Sequence, residues 1–475
     1  MVFNSFSFIL VYPFLFLLYY AIPAKRSFWR NVYLLLVSYL LYMQFCAAYA
    51  LVLLSVTLIT YLSARRIADY QKKHRNAGTL LSIGVCLTLL PLLTFKYYNF
   101  VNESCTHVLD LFHIHFALPG LNWAIPVGIS FFTFQALGYL WDVYYGRIQA
   151  EKNFWHYALF ISFFPSLVSG PINKASSLLP QIRQSRKSFD YEKAVRGMKL
   201  LLWGMFMKVV VAERVTLYVD TVFPLYENYS GITCLVASLL YTVQIYADFA
   251  GYSLMAIGTG KTLGFDLAEN FHRPYFSYSI TDFWRRWHIS LSTWLKDYIY
   301  IPLGGSRCSK IRNYANIFIT FLVSGIWHGA NWTFVIWGIW HGVCQVIEKM
   351  LHQQQCPYGV IGKAVKIGVT FLLVNFAWII FRMPTLADAF RMMCSISDTS
   401  SWGSLYFPEK SNTLFIIVSV GVLIIKDVTD EYFPTKYRLF DNDSSYVRWL
   451  SYTAIVLMIL LTGVLDAGQF IYANF

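Results

Sequence analysis

Charged residues are scarce in this 475-residue chain: Asp, Glu, Lys and Arg together make up only 13% of it, about half the usual share of a soluble protein. Strand-like alternation of polar and apolar residues is also absent, which argues against a membrane β-barrel. Hydrophobic residues reach 57% and aromatic residues 19%. Because helices satisfy their own backbone hydrogen bonds in lipid, the composition predicts an all-α, polytopic membrane protein.

Paired cysteines and clustered metal ligands are missing as well. The eight cysteines are scattered and form no C-x-x-C pair, so neither a disulfide framework nor a zinc site is predicted, and we expect no bound metal. No G-x-S-x-G elbow is present, which argues against an intrinsic serine acyl-enzyme. Linkers and internal repeats are lacking too, so we expect one integral-membrane domain over residues 1–475.

Long apolar runs predict a helical bundle of about ten to twelve spans, accompanied by re-entrant and interfacial helices. A further helix is predicted near 386–393, where apolar residues recur at helical spacing. The runs lie near 7–24, 31–45, 47–63, 78–95, 124–145, 155–170, 198–212, 231–258, 314–327, 331–351, 364–381, 411–426 and 449–466.

The distribution of basic residues predicts the orientation. No basic residue precedes the first apolar segment, whereas Lys25, Arg26 and Arg30 follow it, and five more basic residues occupy the loop 63–76. By the positive-inside rule both regions are cytoplasmic and the N-terminus lies outside. The net charge of +13 therefore indicates orientation and attraction to membrane lipids, and no nucleic-acid partner is expected.

A first polar cluster lies within "YADFAGYSLMAIGTGKTLGFDLAENFHRPY", residues 246–275, where Asp248 falls inside an apolar run. A carboxylate in a span usually faces a polar cavity or a partner group. Glycine-rich helices also pack closely enough to enclose such a group. A substrate-binding role for Asp248 and a structural role are both open.

A second cluster is "SITDFWRRWHISLSTWLKDYIYIPLGGSR", residues 279–307. On a helix Asp282 can pair with Arg285 or Arg286, which lowers the cost of placing a guanidinium in an apolar region. Either arginine could attract phosphates of a substrate, or could anchor the helix at the cytoplasmic surface. His288 follows within an aromatic stripe, where a structural histidine is the alternative to a catalytic one.

A third cluster, "FLVSGIWHGANWTFVIWGIWHG", residues 321–342, holds two histidines in an apolar stretch. On one continuous helix His328 and His341 would lie about 20 Å apart, too far to share a substrate atom unless the chain breaks. Gly325 and Gly329 flank His328 and leave room beside its ring. An imidazole with little water around it favours its neutral form, which can accept a proton from a hydroxyl group.

These motifs resemble the membrane-bound O-acyltransferase family, in particular its bacterial branch of alginate and peptidoglycan O-acetyltransferases. The resemblance covers most of the chain, in order. Besides the clusters above, it includes "MVFNSFSFILVYPFLFLLYY", "PVGISFFTFQALGYLWDVYYG", "FISFFPSLVSGPINKASSLLPQI" and "FAWIIFRMPTLADAF".

The resemblance implies that His328 is the catalytic histidine and His288 a second catalytic histidine. Acetyl-CoA would be the cytoplasmic acyl donor, used as a substrate with no bound cofactor. The acceptor would be a hydroxyl of an extracytoplasmic polysaccharide such as alginate or peptidoglycan, reached directly or through an esterase-like partner transferase. The protein would occupy the bacterial inner membrane and form a central funnel. Candidate substrate-binding residues are Arg285, Arg286, Trp327, Asn331 and Asp248.

Two alternative functions are open. One is D-alanyl transfer from a carrier protein to teichoic acid, a sister activity in the family; the resemblance favours acetyl transfer from coenzyme A instead, because the continuation "IYIPLGGSR" resembles the acetyltransferase branch. The other is transport of a lipid-linked glycan, because transporters also carry intramembrane histidines.

Overall fold

The structure, a computed structural model, describes residues 3, 5–114, 118–184, 189–356, 359–433 and 440–465. Within these ranges all regular secondary structure is helical, and the predicted all-α membrane fold is confirmed. The α-helices are α1 (Phe6–Ala21), α2 (Ser27–Met43), α3 (Ala47–Lys72), α4 (Gly78–Leu92), α5 (Tyr98–Leu111), α6 (Ile129–Tyr144), α7 (Phe154–Ser162), α8 (Phe164–Leu167), α9 (Ala175–Arg183), α10 (Tyr191–Met205), α11 (Glu213–Val222), α12 (Gly231–Thr262), α13 (Ile280–Arg286), α14 (Ile289–Leu295), α15 (Lys310–His328), α16 (Trp332–Met350), α17 (Val360–Arg382), α18 (Leu386–Ser397), α19 (Lys410–Tyr432) and α20 (Ser445–Thr462).

Three π-helical segments continue α-helices without a break: Leu93–Tyr97 after α4, Phe206–Ala212 after α10, and Lys296–Tyr300 after α14. Short 3₁₀ turns occupy Ala24–Arg26, Phe223–Asn228, Pro274–Phe276 and Thr399–Ser401. The π-helix is rare and often marks a functional position. The helix predicted near 386–393 is present as α18.

Six described segments are long and apolar enough to cross a membrane: α3, the continuous segment Gly78–Leu111, α12, α17, α19 and α20. The pair α1 and α2, bent by 100°, adds a seventh if it counts as one span. This is fewer than the ten to twelve spans expected, because several apolar runs form shorter helices; run 124–145, for example, yields the 16-residue α6. The last residue of run 449–466 lies outside the described residues.

The long helix α12 is buried over much of its length and packs closely against α10. Glycines make this approach possible: a β-carbon on Gly204 would lie 2.6 Å from the carbonyl oxygen of Gly251, and one on Gly197 would lie 2.7 Å from that of Gly258. Small residues at such crossings let helix backbones approach within van der Waals contact. The glycine-rich sequence of α12 therefore has a packing role.

Helix ends that carry basic loops meet at one end of the molecule, which we call the basic end. There Asn31, after the first basic loop, donates a hydrogen bond to the carbonyl of Ile182 (2.8 Å), Arg183 pairs with Glu151, and Tyr61 of α3 donates to the carbonyl of Lys152 (2.6 Å). The other end, which we call the opposite end, includes the loop 118–128, where Tyr42 donates to the carbonyl of Val127 (2.9 Å).

Candidate active site

The helix carrying His328 ends at that residue, and the chain turns back on itself. Gly329 is extended, and Asn331 caps α16 by accepting a hydrogen bond from the backbone N–H of Thr333 (3.0 Å). Helices α15 and α16 then pack closely, since a β-carbon on Gly325 would lie 3.0 Å from the Cα of Gly338. This hairpin brings the second histidine of the motif back towards the first.

His328 and His341 are consequently neighbours. The indole of Trp337 lies between them, its ring centroid 4.8 Å from that of His328 and 4.8 Å from that of His341. Both imidazoles are buried. The separation of about 20 Å, which assumed a continuous helix, is therefore wrong, because the helix breaks at Gly329.

His288 joins the same region from another part of the chain. Its backbone is left-handed (φ 43°) at the junction of α13 and α14. Its Nδ1 lies 2.9 Å from Oδ1 of Asn270, an oxygen that also accepts from the hydroxyl of Ser290 (2.8 Å). Because this oxygen only accepts, Nδ1 of His288 carries the proton. Its Nε2 is then an acceptor, and it has no hydrogen-bond partner among the described residues.

Trp327 connects His288 with His328. Its ring centroid lies 6.0 Å from that of His288 and 5.0 Å from that of His328. The three histidines with Trp327 and Trp337 form what we call the histidine layer. No group of three metal-ligating side chains close enough to hold an ion was found in the described ranges. The layer therefore gathers imidazoles and indole N–H groups in an apolar environment.

A cavity of 440 Å³ lies on the basic-end side of the layer: its lining includes Lys296 and Tyr300, and Tyr298 of the same π-helical segment lies under Arg147 (5.7 Å), just beyond the end of α6. The cavity lining includes three cationic side chains, Arg285, Lys296 and Lys349. The wall contributes Trp284, whose indole N–H donates to Nδ1 of His341 (3.3 Å). This cavity thus combines positive charge with contact to the histidine layer.

A second cavity, of 490 Å³, lies at the opposite end of the molecule and is lined by Lys96, Asn331 and Arg382 among others. Between this cavity and the layer lies a small cavity of 20 Å³, whose lining includes His328, Trp327 and again Lys96. Two large cavities therefore approach the histidine layer from different ends.

Two of the predicted substrate-binding residues have other surroundings. Arg286 pairs with Asp282 (3.1 Å) and with Glu431 of α19 (2.9 Å), and does not line the basic-end cavity. Glu431 also binds Arg273 (2.8 Å). Burial, with the charges of Arg273 and Arg286, lowers the pKa of nearby His272. Arg286 thus tethers the motif to α19.

Asp248 is the other residue with different surroundings. It forms a buried ion pair with Lys208, and Lys208 also pairs with Glu213 (2.7 Å). All three side chains are at most 4% exposed. Asp248 lines neither large cavity, so these contacts support its structural role.

The central and C-terminal part of the chain, residues 147–386, matches the family model of the membrane-bound O-acyltransferases. The match includes all three histidines of the layer. This chain belongs to the membrane-bound O-acyltransferase family. It is therefore an O-acyltransferase and a multi-pass membrane protein, and the resemblance noted in its motifs is confirmed.

Three relatives of this acyltransferase have names that state an activity, and two of them match most of its length. It is 38% identical over 426 residues to the probable alginate O-acetylase AlgI of Pseudomonas aeruginosa, covering 90% of this chain and 80% of that protein. It is 33% identical over 423 residues to the peptidoglycan O-acetyltransferase of Helicobacter pylori, covering 83% and 79%. The teichoic acid D-alanyltransferase of Bacillus subtilis is 27% identical over 266 residues, covering 54% and 65%.

Three polar residues of this candidate site were not predicted from the sequence. Lys96 is a lone cation beside a long apolar run, and that isolation is the signal that could have identified it. Lys349 resembles an ordinary basic residue in the last turn of a helix. Asn270 lies 18 residues before His288, and only the fold brings the two together.

Proposed function

We propose that this O-acyltransferase moves an acetyl group from cytoplasmic acetyl-CoA to hydroxyl groups of an extracytoplasmic polysaccharide. The observation that carries the proposal is the position of the histidine layer between two cavities: the basic-end cavity reaches it at Trp284, the hydrogen-bond partner of His341, and the opposite-end cavity approaches it through the small cavity lined by His328. The names of the P. aeruginosa and H. pylori relatives support acetyl as the acyl group and a polysaccharide as the acceptor.

His328 acts as the general base. Its imidazole accepts the proton of the acceptor hydroxyl while the hydroxyl oxygen bonds to the thioester carbonyl carbon. The tetrahedral intermediate then collapses, the carbon–sulfur bond breaks, and the proton passes from the imidazolium to the leaving thiolate. An imidazole in an apolar layer suits this role because burial favours its neutral form.

The negative charge on the tetrahedral oxygen requires a hydrogen-bond donor. His288 does not fit this task, because a proton on Nδ1, donated to Oδ1 of Asn270, leaves Nε2 as an acceptor. The indole N–H of Trp327 does fit: it is buried next to His328 and has no acceptor among the described residues. Trp327 stabilises the oxyanion, and His288, whose ring lies 6.0 Å from that indole, offers its Nε2 as an acceptor for a hydrogen bond from a substrate hydroxyl.

The basic-end cavity binds the donor. Three cationic side chains around one cavity suit the phosphates of coenzyme A, which form charge-assisted hydrogen bonds with them. The match to the D-alanyltransferase relative covers only 54% of this chain, whereas the matches to the two O-acetylating relatives cover 83% and 90%. This difference favours acetyl transfer over D-alanyl transfer.

Orientation follows from the basic loops at the same end as the donor cavity. By the positive-inside rule, that end lies on the cytoplasmic side of a bacterial inner membrane. The cavity lined by Asn331 and Arg382 then faces outside and admits the acceptor. That acceptor is the polysaccharide itself or an esterase-like partner transferase that relays the acetyl group to it.

A sided transfer assay tests the proposal. The assay uses inverted membrane vesicles, whose orientation is checked with a Tyr70→Cys variant of a cysteine-free background: a thiol reagent in the medium should label residue 70. These vesicles should consume radiolabelled acetyl-CoA added to the medium. The label should appear on enclosed alginate or peptidoglycan fragments, with or without an esterase-like partner enclosed. D-alanine transfer, glycan movement without acetylation, or labelling of residue 70 only from the lumen would contradict the proposal.

Charge reversal at Arg285 should weaken donor binding. Arg285→Glu places a negative charge in the donor cavity, and we expect the Michaelis constant for acetyl-CoA to rise about tenfold or more while kcat falls less. Arg307→Glu is the matched control, since Arg307 is an exposed cation of the same region outside the cavity lining. Equal Michaelis constants for acetyl-CoA in the two folded variants would show that Arg285 anchors the helix at the membrane surface and does not bind the donor.

A further inference from the structure

Lys96 is a buried cation inside an apolar span. It lies in the π-helical segment Leu93–Tyr97 within the span Gly78–Leu111, and is only 6% exposed. Among the described residues no carboxylate lies within ion-pair distance of its ammonium group. An intramembrane charge is costly, and its retention points to a function.

The ammonium group of Lys96 holds the carbonyl end of α15. Its Nζ donates to the carbonyl oxygens of Trp327 (2.8 Å) and His328 (3.0 Å), and to the hydroxyl of Ser130 (3.3 Å). The last carbonyls of a helix lack helical partners and carry partial negative charge, so a cation there is favourable. A lysine has three N–H donors, and these contacts use all three.

Lys96 also lies where the opposite-end cavity approaches His328. It lines both that cavity and the small cavity next to His328, a position that it shares with Ile125. The path from the acceptor side to the imidazole therefore passes Lys96. Because its three N–H groups already donate to protein acceptors, Lys96 is suited to fixing the end of α15 and not to donating to a reacting oxygen.

We propose that Lys96 is a positioning residue for acyl transfer. By binding the carbonyls of Trp327 and His328 it fixes the end of α15, and with it the imidazole and the indole, at the point where the acceptor arrives. The inference rests on the proposed function, since it assigns Lys96 to the same reaction. A misplacement of about 1 Å can cost about 100-fold in rate, so loss of this anchor should be visible in kcat.

The test compares Lys96→Met with two other variants in purified, reconstituted protein. Lys96→Met keeps the length of the side chain but removes its donors, and should lower kcat about 100-fold with the Michaelis constant for acetyl-CoA within about twofold, because the donor cavity does not include Lys96. Lys96→Arg keeps charge and donors and should recover part of the rate. Tyr97→Phe removes hydrogen bonds to the carbonyls of Ile326 (2.7 Å) and Trp327 (3.5 Å) but leaves all the Lys96 contacts in place, and should lower kcat much less than Lys96→Met.

Several results would overturn the role of Lys96. These are a wild-type kcat in Lys96→Met, a loss in Tyr97→Phe as large as that in Lys96→Met, or no difference between Lys96→Arg and Lys96→Met. If Lys96→Met does not fold, Lys96→Leu, which also lacks donors, takes its place with the same expected split between kcat and the Michaelis constant. Failure of the wild type itself to transfer acetyl groups would instead contradict the proposed function.

Discussion

His328→Ala is expected to abolish acetyl transfer while the protein remains folded in the membrane. Removing a general base typically costs 10²–10⁴-fold in rate, and in this apolar layer little water is available to replace it. Initial rates in reconstituted protein, with radiolabelled acetyl-CoA and a saturating acceptor, measure the effect. Size-exclusion profiles and thermal unfolding compared with the wild type show whether the variant is folded.

His341→Ala is the matched control for this prediction. The two imidazoles are both buried against Trp337, so both substitutions leave a similar gap beside the same indole. His341 accepts a hydrogen bond from Trp284 and lines none of the three cavities described, whereas His328 lines the small cavity on the acceptor side, so we expect a much smaller loss of rate. Equal inactivity of the two folded variants would contradict the assignment and would place both histidines in the chemical step.

Lys208→Met should greatly lower the free energy of unfolding of the protein. Lys208 is the shared partner of Asp248 and Glu213, and all three side chains are buried in the helix core. Removing one member of a buried ion pair costs about 3–5 kcal/mol, because an uncompensated charge remains. We expect a lower yield of folded protein and a clear fall in its unfolding temperature in detergent.

The triple variant Lys208→Met, Glu213→Gln, Asp248→Asn separates this effect from simple loss of packing. It makes the same change at Lys208 but leaves no carboxylate unpaired, so much of the lost stability should return. Unfolding of Lys208→Met at the wild-type temperature would show that the network contributes little. Equal destabilisation of the single and triple variants would mean that packing of the lysine stem, and not charge, is what the core requires.

The sequence could predict features that depend on local pattern. Hydropathy over some twenty residues predicts helices in lipid without knowledge of their neighbours, and the all-α fold followed from it. Asp282 and Arg286 are four residues apart, so their ion pair followed from helical geometry alone. The second partner of Arg286, Glu431, lies 145 residues along the chain, and no local pattern indicates it.

By itself, the sequence determined the membrane class, the helical fold, the family and the candidacy of His288 and His328. The tertiary structure decided that His341 lies beside His328, that Asp248 belongs to an ion-pair network, and that Lys96 binds the end of α15. The physical reason is the separation along the chain of the residues that interact. Helix formation in lipid and motif identity depend on residues close in the chain. A buried charge or imidazole acquires its partners only when helices distant in sequence pack together, and a break of a few residues at Gly329 is enough to change which partners those are.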